Sequence, residues 1–134
     1  MKKTLIAAAL AGVALAPGAA LADWPADRPI RMIVSLTPGS ATDIVGRLVA
    51  DVLTQRLGQS VVVENRPGAG TTLASGQVAA AAPDGYTLLV TSSAHSAVPA
   101  LYPNLSYDPV TGLVPVAALG ETPLVLAANP TRGY

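Results

Sequence analysis

The chain has 134 residues, eight basic and eight acidic side chains, few aromatic residues (4%) and no cysteine. A balanced charge without a basic cluster argues against nucleic acid as a partner. Without cysteine the chain is not a disulfide scaffold, so a folded domain depends on its hydrophobic core. His95 is the only histidine, so no histidine or cysteine pair has metal-ligand spacing, and we expect neither a metal nor another cofactor.

Residues 1–22 have the features of a cleavable export signal. Two lysines precede an apolar stretch that is interrupted by Pro17 and Gly18, and small residues end the stretch at Ala22. A membrane anchor needs about 20 continuous apolar residues, so cleavage after Ala22 is the better interpretation. Loss of both lysines leaves six arginines against eight acids, a net charge of −2. We therefore predict export to the periplasm, with residues 23–134 as the mature chain.

The mature chain alternates short apolar runs with helical patterns. Continuous apolar residues predict buried strands at residues 30–36, 60–65 and 87–92. Apolar residues at helical spacing predict a helix over residues 44–57, and an Ala-rich run predicts a second helix over residues 73–82. This β-α-β-α-β order implies an α/β fold with a mostly parallel sheet, right-handed crossovers and helices on both faces. The first strand is expected to be central.

Proline residues are spaced through the chain after Ser93, which indicates looser structure there. The run "LVPVAALGETPLVLAAN", residues 113–129, predicts one or two further strands. An apolar run that leads into Asn-Pro resembles a connection to another element, so we expect the chain to be truncated.

Three loops are the best candidates for a binding site. In an open parallel sheet, ligands bind outside the carboxyl ends of the strands, where the loops into the helices gather. Here those loops are "TPGSATD", "RPGAGTT" and "SSAHSA", all rich in small polar residues. In the first, Gly39 allows a tight turn, and Ser40 and Asp43 match a capping-box variant at a helix start, where unpaired N–H groups hold carboxylate or phosphate. The same residues could serve only as a helix cap, and the loop alone leaves both alternatives open.

The other two loops offer weaker signals. "GAGTTLASG" departs from the dinucleotide fingerprint, because Leu73 replaces its third glycine, and we expect no dinucleotide site. His95 lies among serines, which suggests an alternative function, a small exported hydrolase that uses Ser93 and His95. However, the chain has no G-x-S-x-G elbow, and serine and histidine close in sequence do not make a catalytic triad.

Longer motifs carry a family resemblance. The stretches "PGSATDIVGRLVADVLTQRLGQSVVVENRPGAGTT", "VAAAAPDGYTLLV" and "PALYPNLSYDPVTGLVPVA" resemble the N-terminal part of Bug-type extracytoplasmic solute receptors. These are the substrate-binding proteins of tripartite tricarboxylate transporters. The resemblance implies a type II periplasmic binding protein, in which two α/β domains close on a ligand like a flytrap. Residues 23–134 would be the N-terminal domain alone, with the second domain absent.

The resemblance also implies a function and a site. It implies a receptor without enzyme activity that captures a di- or tricarboxylate, or a related carboxylate, and has the membrane components of the transporter as partners. We expect a monomer. Carried onto this sequence, the implied ligand-binding residues are Thr37, Gly39, Ser40, Ala41, Thr42 and Asp43 in the first loop, Gly70 and Thr71 in the second, and Ser92, Ser93 and His95 in the third. A third interpretation is a non-functional remnant that folds poorly because its sheet lacks returning strands.

Overall fold

The structure is a computed structural model that describes residues 24–123, 125–129 and 131. The export signal predicted for residues 1–22, and its cleavage point, lie outside these residues. Within the described part of the chain, no helix combines the length and hydrophobicity needed to cross a bilayer.

Three parallel strands form one sheet in the order β2-β1-β3. The elements in chain order are β1 (Ile30–Val34), α1 (Ala41–Leu57), β2 (Val61–Asn65), a 3₁₀ turn (Ala69–Thr71), α2 (Thr72–Ala79), β3 (Thr87–Val90) and α3 (Ala94–Leu101). The predicted α/β order, the parallel sheet and the central position of the first strand are confirmed.

Both faces of β1 are covered. Met32 and Val34 pack with Ala50 of α1 and with Val90 of β3 in the main core cluster. Ile33, which is fully buried, points to the opposite face because side chains alternate along a strand. Helix α2 packs against β3 and β1, and right-handed crossovers place it on the face opposite α1. From Met32 to Val34 the strand is therefore apolar because both of its faces are covered there, whereas Arg31 near its start is exposed.

Helix α1 begins three residues earlier than predicted and turns only part of its apolar stripe toward the sheet. Its start is fixed by Ser40, whose hydroxyl accepts a hydrogen bond from the Asp43 N–H, and its end by Gly58 in the left-handed conformation. The predicted apolar stripe is only partly buried, since Ile44, Leu48 and Val52 are 53, 61 and 52% exposed. Val49 and Leu53 pack against the core, and the small residues Gly46 and Ala50 are the ones fully turned toward the sheet. A Cβ at Gly46 would lie 3.2 Å from the Val34 Cγ2 atom, so the helix approaches the sheet closely.

Other predicted boundaries shift by one to three residues. The first strand ends at Val34, two residues early, and the third ends at Val90. The second helix ends at Ala79, where the prediction extended it to Ala82. Pro83 explains the early end, because the residue before a proline is disfavoured in the helical conformation and the helix unwinds ahead of it.

The strands predicted in residues 113–129 are absent from the described residues of that run. Val114, Val116 and Val125 are 86 to 87% exposed, and Leu126 is fully exposed. The prediction of further strands was wrong for a physical reason. A strand is stabilised by pairing with a neighbour, and within the described residues nothing pairs with this run.

Candidate ligand-binding site

The three candidate loops lie at one edge of the sheet. The Ser35 N–H donates to the Val90 carbonyl at 3.0 Å, and the Arg66 N–H donates to the Val34 carbonyl at 2.8 Å. The Ser35 hydroxyl, which is fully buried, also donates to the Thr91 hydroxyl at 3.0 Å. Hydrogen bonds just past the strand ends therefore tie β1 to both of its neighbours, and the loops that follow start side by side.

Asp43 is the best-connected side chain of the first loop. One carboxylate oxygen accepts from the Gly39 N–H at 2.8 Å and from Arg47 Nε at 3.2 Å. The other accepts from Asn65 Nδ2 at 2.8 Å and lies 3.1 Å from Arg47 Nη2. Hydrogen bonds from Arg47, Gly39 and Asn65 lower the pKa of Asp43 from 3.8 to about 2. Asp43 is therefore ionised at neutral pH, and its four acceptor positions are already used by the protein.

The first turn of α1 presents unpaired backbone donors. Gly39 has a φ of +81°, which favours glycine, and the Ser40 N–H bonds to the Thr37 carbonyl at 3.2 Å. Among the described residues, the N–H groups of Ala41 and Thr42 have no hydrogen-bond partner. Such groups at the start of a helix carry partial positive charge. They are suited to bind an anionic oxygen.

Ser40 can cap the helix and contact a ligand at the same time. Its hydroxyl oxygen accepts from the Asp43 N–H at 3.3 Å, and its hydroxyl hydrogen is still available. Thr37, Gly39 and Ala41 are exposed at the same turn, and Ser40 is half-buried. The two alternatives that the sequence left open, capping and binding, are therefore compatible in one residue.

The second loop holds a buried hydroxyl without a partner. Thr71 is 3% exposed, and in the described structure its Oγ1 atom makes no hydrogen bond. Its φ is +82°, a conformation that β-branched residues rarely adopt, and backbone strain of this kind is concentrated at functional sites. Gly70 has a φ of +59°, and a Cβ there would lie 2.7 Å from the Tyr102 hydroxyl oxygen. Tyr102 therefore confines the turn that buries Thr71.

The third predicted loop runs into α3, and His95 lies in the first turn of that helix. The His95 Nε2 atom lies 3.1 Å from the Pro109 carbonyl, which can only accept, so Nε2 carries a hydrogen. In the neutral ring Nδ1 then accepts from the Ser75 hydroxyl at 3.3 Å. Both ring nitrogens thus bond to the protein, and His95 links α3 to α2 and to the turn around Pro109. Ser92 accepts from the Ala94 N–H at 3.3 Å, whereas the neighbouring Ser93 is exposed.

The hydrogen bonds of His95 do not match those of the catalytic histidine of a hydrolase. Within the described residues His95 makes no hydrogen bond to Ser93, and its serine partner, Ser75, is fully buried. The other ring nitrogen faces a main-chain carbonyl, where a triad has a carboxylate. No described group of three or more histidine, cysteine or acidic residues could hold a metal ion.

Four residues at this edge of the sheet were not predicted from the sequence as site residues. They are Ser35, Arg47, Asn65 and Thr91, all engaged in the hydrogen bonds above. Three of them end or follow an apolar strand, and a polar residue at that position was the signal that could have found them. Arg47 gave no such signal, because an arginine on an exposed helix face is common.

Two shallow cavities lie at the opposite edge of the sheet. They have volumes of about 200 and 410 Å³ and share Arg28, Asp84 and Tyr86 in their linings. Arg28 lies 4.7 Å from the centre of the Tyr86 ring, and Trp24 packs edge-on against the same ring. These contacts hold the segment before β1 in place, at the amino ends of the strands and away from the three loops.

Residues 45–134 match the family described as tripartite tricarboxylate transporter family receptor. The chain is 49% identical over 109 residues to the protein BugT of Bordetella pertussis, an alignment that covers 80% of this chain and 33% of BugT. This chain belongs to that receptor family. It spans about a third of the length of the curated relatives it matches.

Solved structures agree with the fold. The periplasmic binding protein BugD shares 44% identity at a TM-score of 0.60, covering 64% of this chain and 29% of BugD. MatC from Rhodopseudomonas palustris, solved with bound malate, shares 42% identity at a TM-score of 0.61, with 69 and 32% of the two chains covered. R. palustris Rpa4515, solved with adipate, shares 38% identity at a TM-score of 0.61, with 66 and 30% covered. The fold is thus that of part of a periplasmic binding protein, and two of these similar structures were solved with a carboxylate bound.

Proposed function

We propose that this chain forms the N-terminal domain of a two-domain periplasmic receptor that captures a di- or tricarboxylate and delivers it to the membrane components of a tripartite tricarboxylate transporter. The observation that carries the proposal is the first turn of α1. There the N–H groups of Ala41 and Thr42 have no partner among the described residues, while the neighbouring carboxylate of Asp43 is fully engaged. Relatives solved with malate and adipate support the ligand class.

The charge balance at this turn favours an anion. A ligand carboxylate at Ala41 and Thr42 would approach Asp43, and unpaired like charges would repel each other. Arg47 holds Asp43 through two contacts of 3.2 and 3.1 Å and offsets its charge. The positive end of the α1 dipole then acts on the ligand. Asp43 thus shapes the turn, and the backbone N–H groups bind the acid.

The other two loops would contact the rest of the ligand. The Thr71 hydroxyl, which has no partner in the part of the chain that the structure describes, is suited to donate to a second carboxylate or a hydroxyl group, since a buried hydroxyl without a partner costs about 1–3 kcal/mol. Ser92 and Ser93 offer further hydroxyl groups at the carboxyl end of β3. His95 would act by holding this loop, because both of its nitrogens are engaged.

Calorimetric titration of the complete gene product against malate, adipate and citrate tests the binding proposal. We expect saturable one-site binding of at least one acid and no binding of its neutral diamide, which has the same shape without the charge. Thr71→Val removes the hydroxyl but keeps the β-branched shape, and it should weaken binding about three- to tenfold. Thr71→Ser, the matched control, should retain affinity. Turnover of simple esters without binding of any acid would favour the hydrolase instead.

Export and delivery need separate tests. The amino-terminal residue of the periplasmic protein should be Asp23, and a mature protein that still carries Lys2 would contradict cleavage after Ala22. Deletion of the gene should abolish uptake of the acid that the receptor binds, and restoring the gene should return it. Unchanged uptake after the deletion would show that the receptor is not needed to transport that acid.

A further inference from the structure

Asn65 connects the first two candidate loops. Its Nδ2 atom donates to the Leu36 carbonyl at 2.9 Å and to the Asp43 carboxylate at 2.8 Å. Its Oδ1 atom accepts from Arg47 Nη2 at 2.9 Å. The residue ends β2, immediately before the second loop, while Leu36 and Asp43 lie on either side of the first turn. One side chain therefore spans the gap between the two loops.

The hydrogen-bond partners of Asn65 match the donors and the acceptor of an amide side chain. The Leu36 carbonyl and the Asp43 carboxylate can only accept, and the Arg47 guanidinium can only donate. A side chain with two donors and one acceptor in this place is an asparagine or a longer glutamine. Aspartate at 65 would bring a carboxylate against Asp43 and lose both donated hydrogen bonds.

We propose that Asn65, together with Arg47, is a positioning residue of the acid-binding turn. It acts through Asp43, whose carboxylate accepts from the Gly39 N–H at 2.8 Å. This contact sets the turn in which the N–H groups of Ala41 and Thr42 have no partner among the described residues. Asn65 itself does not touch the ligand. The inference rests on the proposed function for its effect on affinity, but the ordering of the turn can be measured without a ligand.

The surrounding charges make a pH test possible. Asp43 and Arg47 face Asn65 from α1, and Glu64 and Arg66 flank it on β2. Glu64 is paired with Arg31 at 2.9 Å and with Arg66 at 3.4 Å. In Asn65→Asp, the new carboxyl group must take up a proton to donate to Asp43, so lowering the pH should restore the turn.

The first measurement is hydrogen exchange of the Gly39 amide by NMR in the ligand-free complete gene product. Asn65→Ala should speed this exchange at least about tenfold relative to the parent, because the carboxylate that holds the amide is released. Glu64→Gln, the matched control, changes the neighbouring residue and should leave the exchange unchanged. Unchanged exchange in Asn65→Ala would overturn the proposal. The result stands even if the parent binds none of the acids, an outcome that contradicts only the proposed function.

The second measurement is affinity as a function of pH. Asn65→Ala should weaken binding of the parent's acid about tenfold or more, and Glu64→Gln should keep it within twofold. Asn65→Asp should bind poorly at pH 8 and recover toward the parent as the pH falls to 5.5, with the parent measured at each pH. A merely structural role would lower the melting temperature of Asn65→Ala and leave its affinity intact, and that result would overturn the proposal. If Asn65→Ala does not fold, recovery of Asn65→Asp with pH decides the question.

Discussion

The strands of the sheet and residues 113–129, the distal run, have similar apolar sequences, but only the strands are buried. Both contain short apolar runs rich in valine and leucine. In the sheet, Ile33 and Val34 are fully buried and Val90 is 6% exposed, whereas Val116 and Val125 are 86 and 87% exposed. The difference lies in the neighbours. A run becomes a buried strand where parallel partners and covering helices are within reach, and the described residues supply these to β1 but not to the distal run.

Amide exchange would show the largest contrast between the two regions. Amides of β1 should exchange about 10³-fold or more slowly than unprotected amides, since only global or sub-global opening exposes a central strand. Amides of Val116 and Val125 should exchange at nearly unprotected rates in the 134-residue chain. Strong protection in both regions would show that the distal run has strand partners after all.

Core substitutions would sharpen the same comparison. Ile33→Ala should lower the free energy of unfolding by about 2–5 kcal/mol, because it leaves a cavity at the centre of the sheet. Val116→Ala, a truncation at an exposed position, should change it by less than about 0.5 kcal/mol. Denaturant titration of both variants of the 134-residue chain measures the difference. Equal losses would mean that the distal run packs against the core.

A substitution at Gly39 should change the first loop without disturbing the hydrophobic core. A Cβ at this position would meet nothing within 4 Å, so the φ of +81° is the main constraint. Gly39→Val should weaken acid binding at least about tenfold with little loss of fold, because valine disfavours that conformation. Asparagine tolerates positive φ, so Gly39→Asn should retain more of the affinity. Equal affinities for parent and Gly39→Val, measured by calorimetry, would show that the turn only connects.

Acid stability should show the smallest effect. The pKa of Asp43 falls from 3.8 to about 2 through hydrogen bonds from Arg47, Gly39 and Asn65. Because the folded-state pKa is the lower one, the stabilisation is complete above about pH 4 and is lost as the pH falls toward 2. Between pH 5 and 8 Asp43 should contribute no pH dependence to stability. In Asp43→Asn the loss between pH 4 and 2 should be smaller, and an identical acid profile in denaturant titrations would contradict this role.

The sequence predicted the order of elements but not every packing face. Apolar periodicity placed the helix at residues 44–57 correctly within three residues, yet Ile44 and Leu48 are mostly exposed while Gly46 faces the sheet. Periodicity counts apolar residues and does not register that a glycine allows the closest approach. The strands predicted in residues 113–129 failed because pairing partners are not a local property of the sequence.

The positions of the three loops were predictable from the sequence, but the hydrogen bonds within and between them were not. Strand order alone places the three loops at one edge, and the glycine of the first loop indicated its turn. The contacts of Asn65 with Asp43 and Arg47 depend on how β2 lies beside α1, which no local pattern encodes. The hydrogen bonds of His95 likewise join it to Ser75 and Pro109, which lie 20 and 14 positions away along the chain.

A structure of the complete gene product with its acid bound would show whether the first turn of α1 holds the ligand. One ligand carboxylate should lie within hydrogen-bond distance, about 2.7–3.2 Å, of the backbone nitrogens of Ala41 and Thr42. Asp43 should keep its contacts with Arg47 and Asn65 and make none with the ligand. A carboxylate bound elsewhere, such as beside Arg28 at the opposite edge of the sheet, with the first turn of α1 empty, would contradict this prediction.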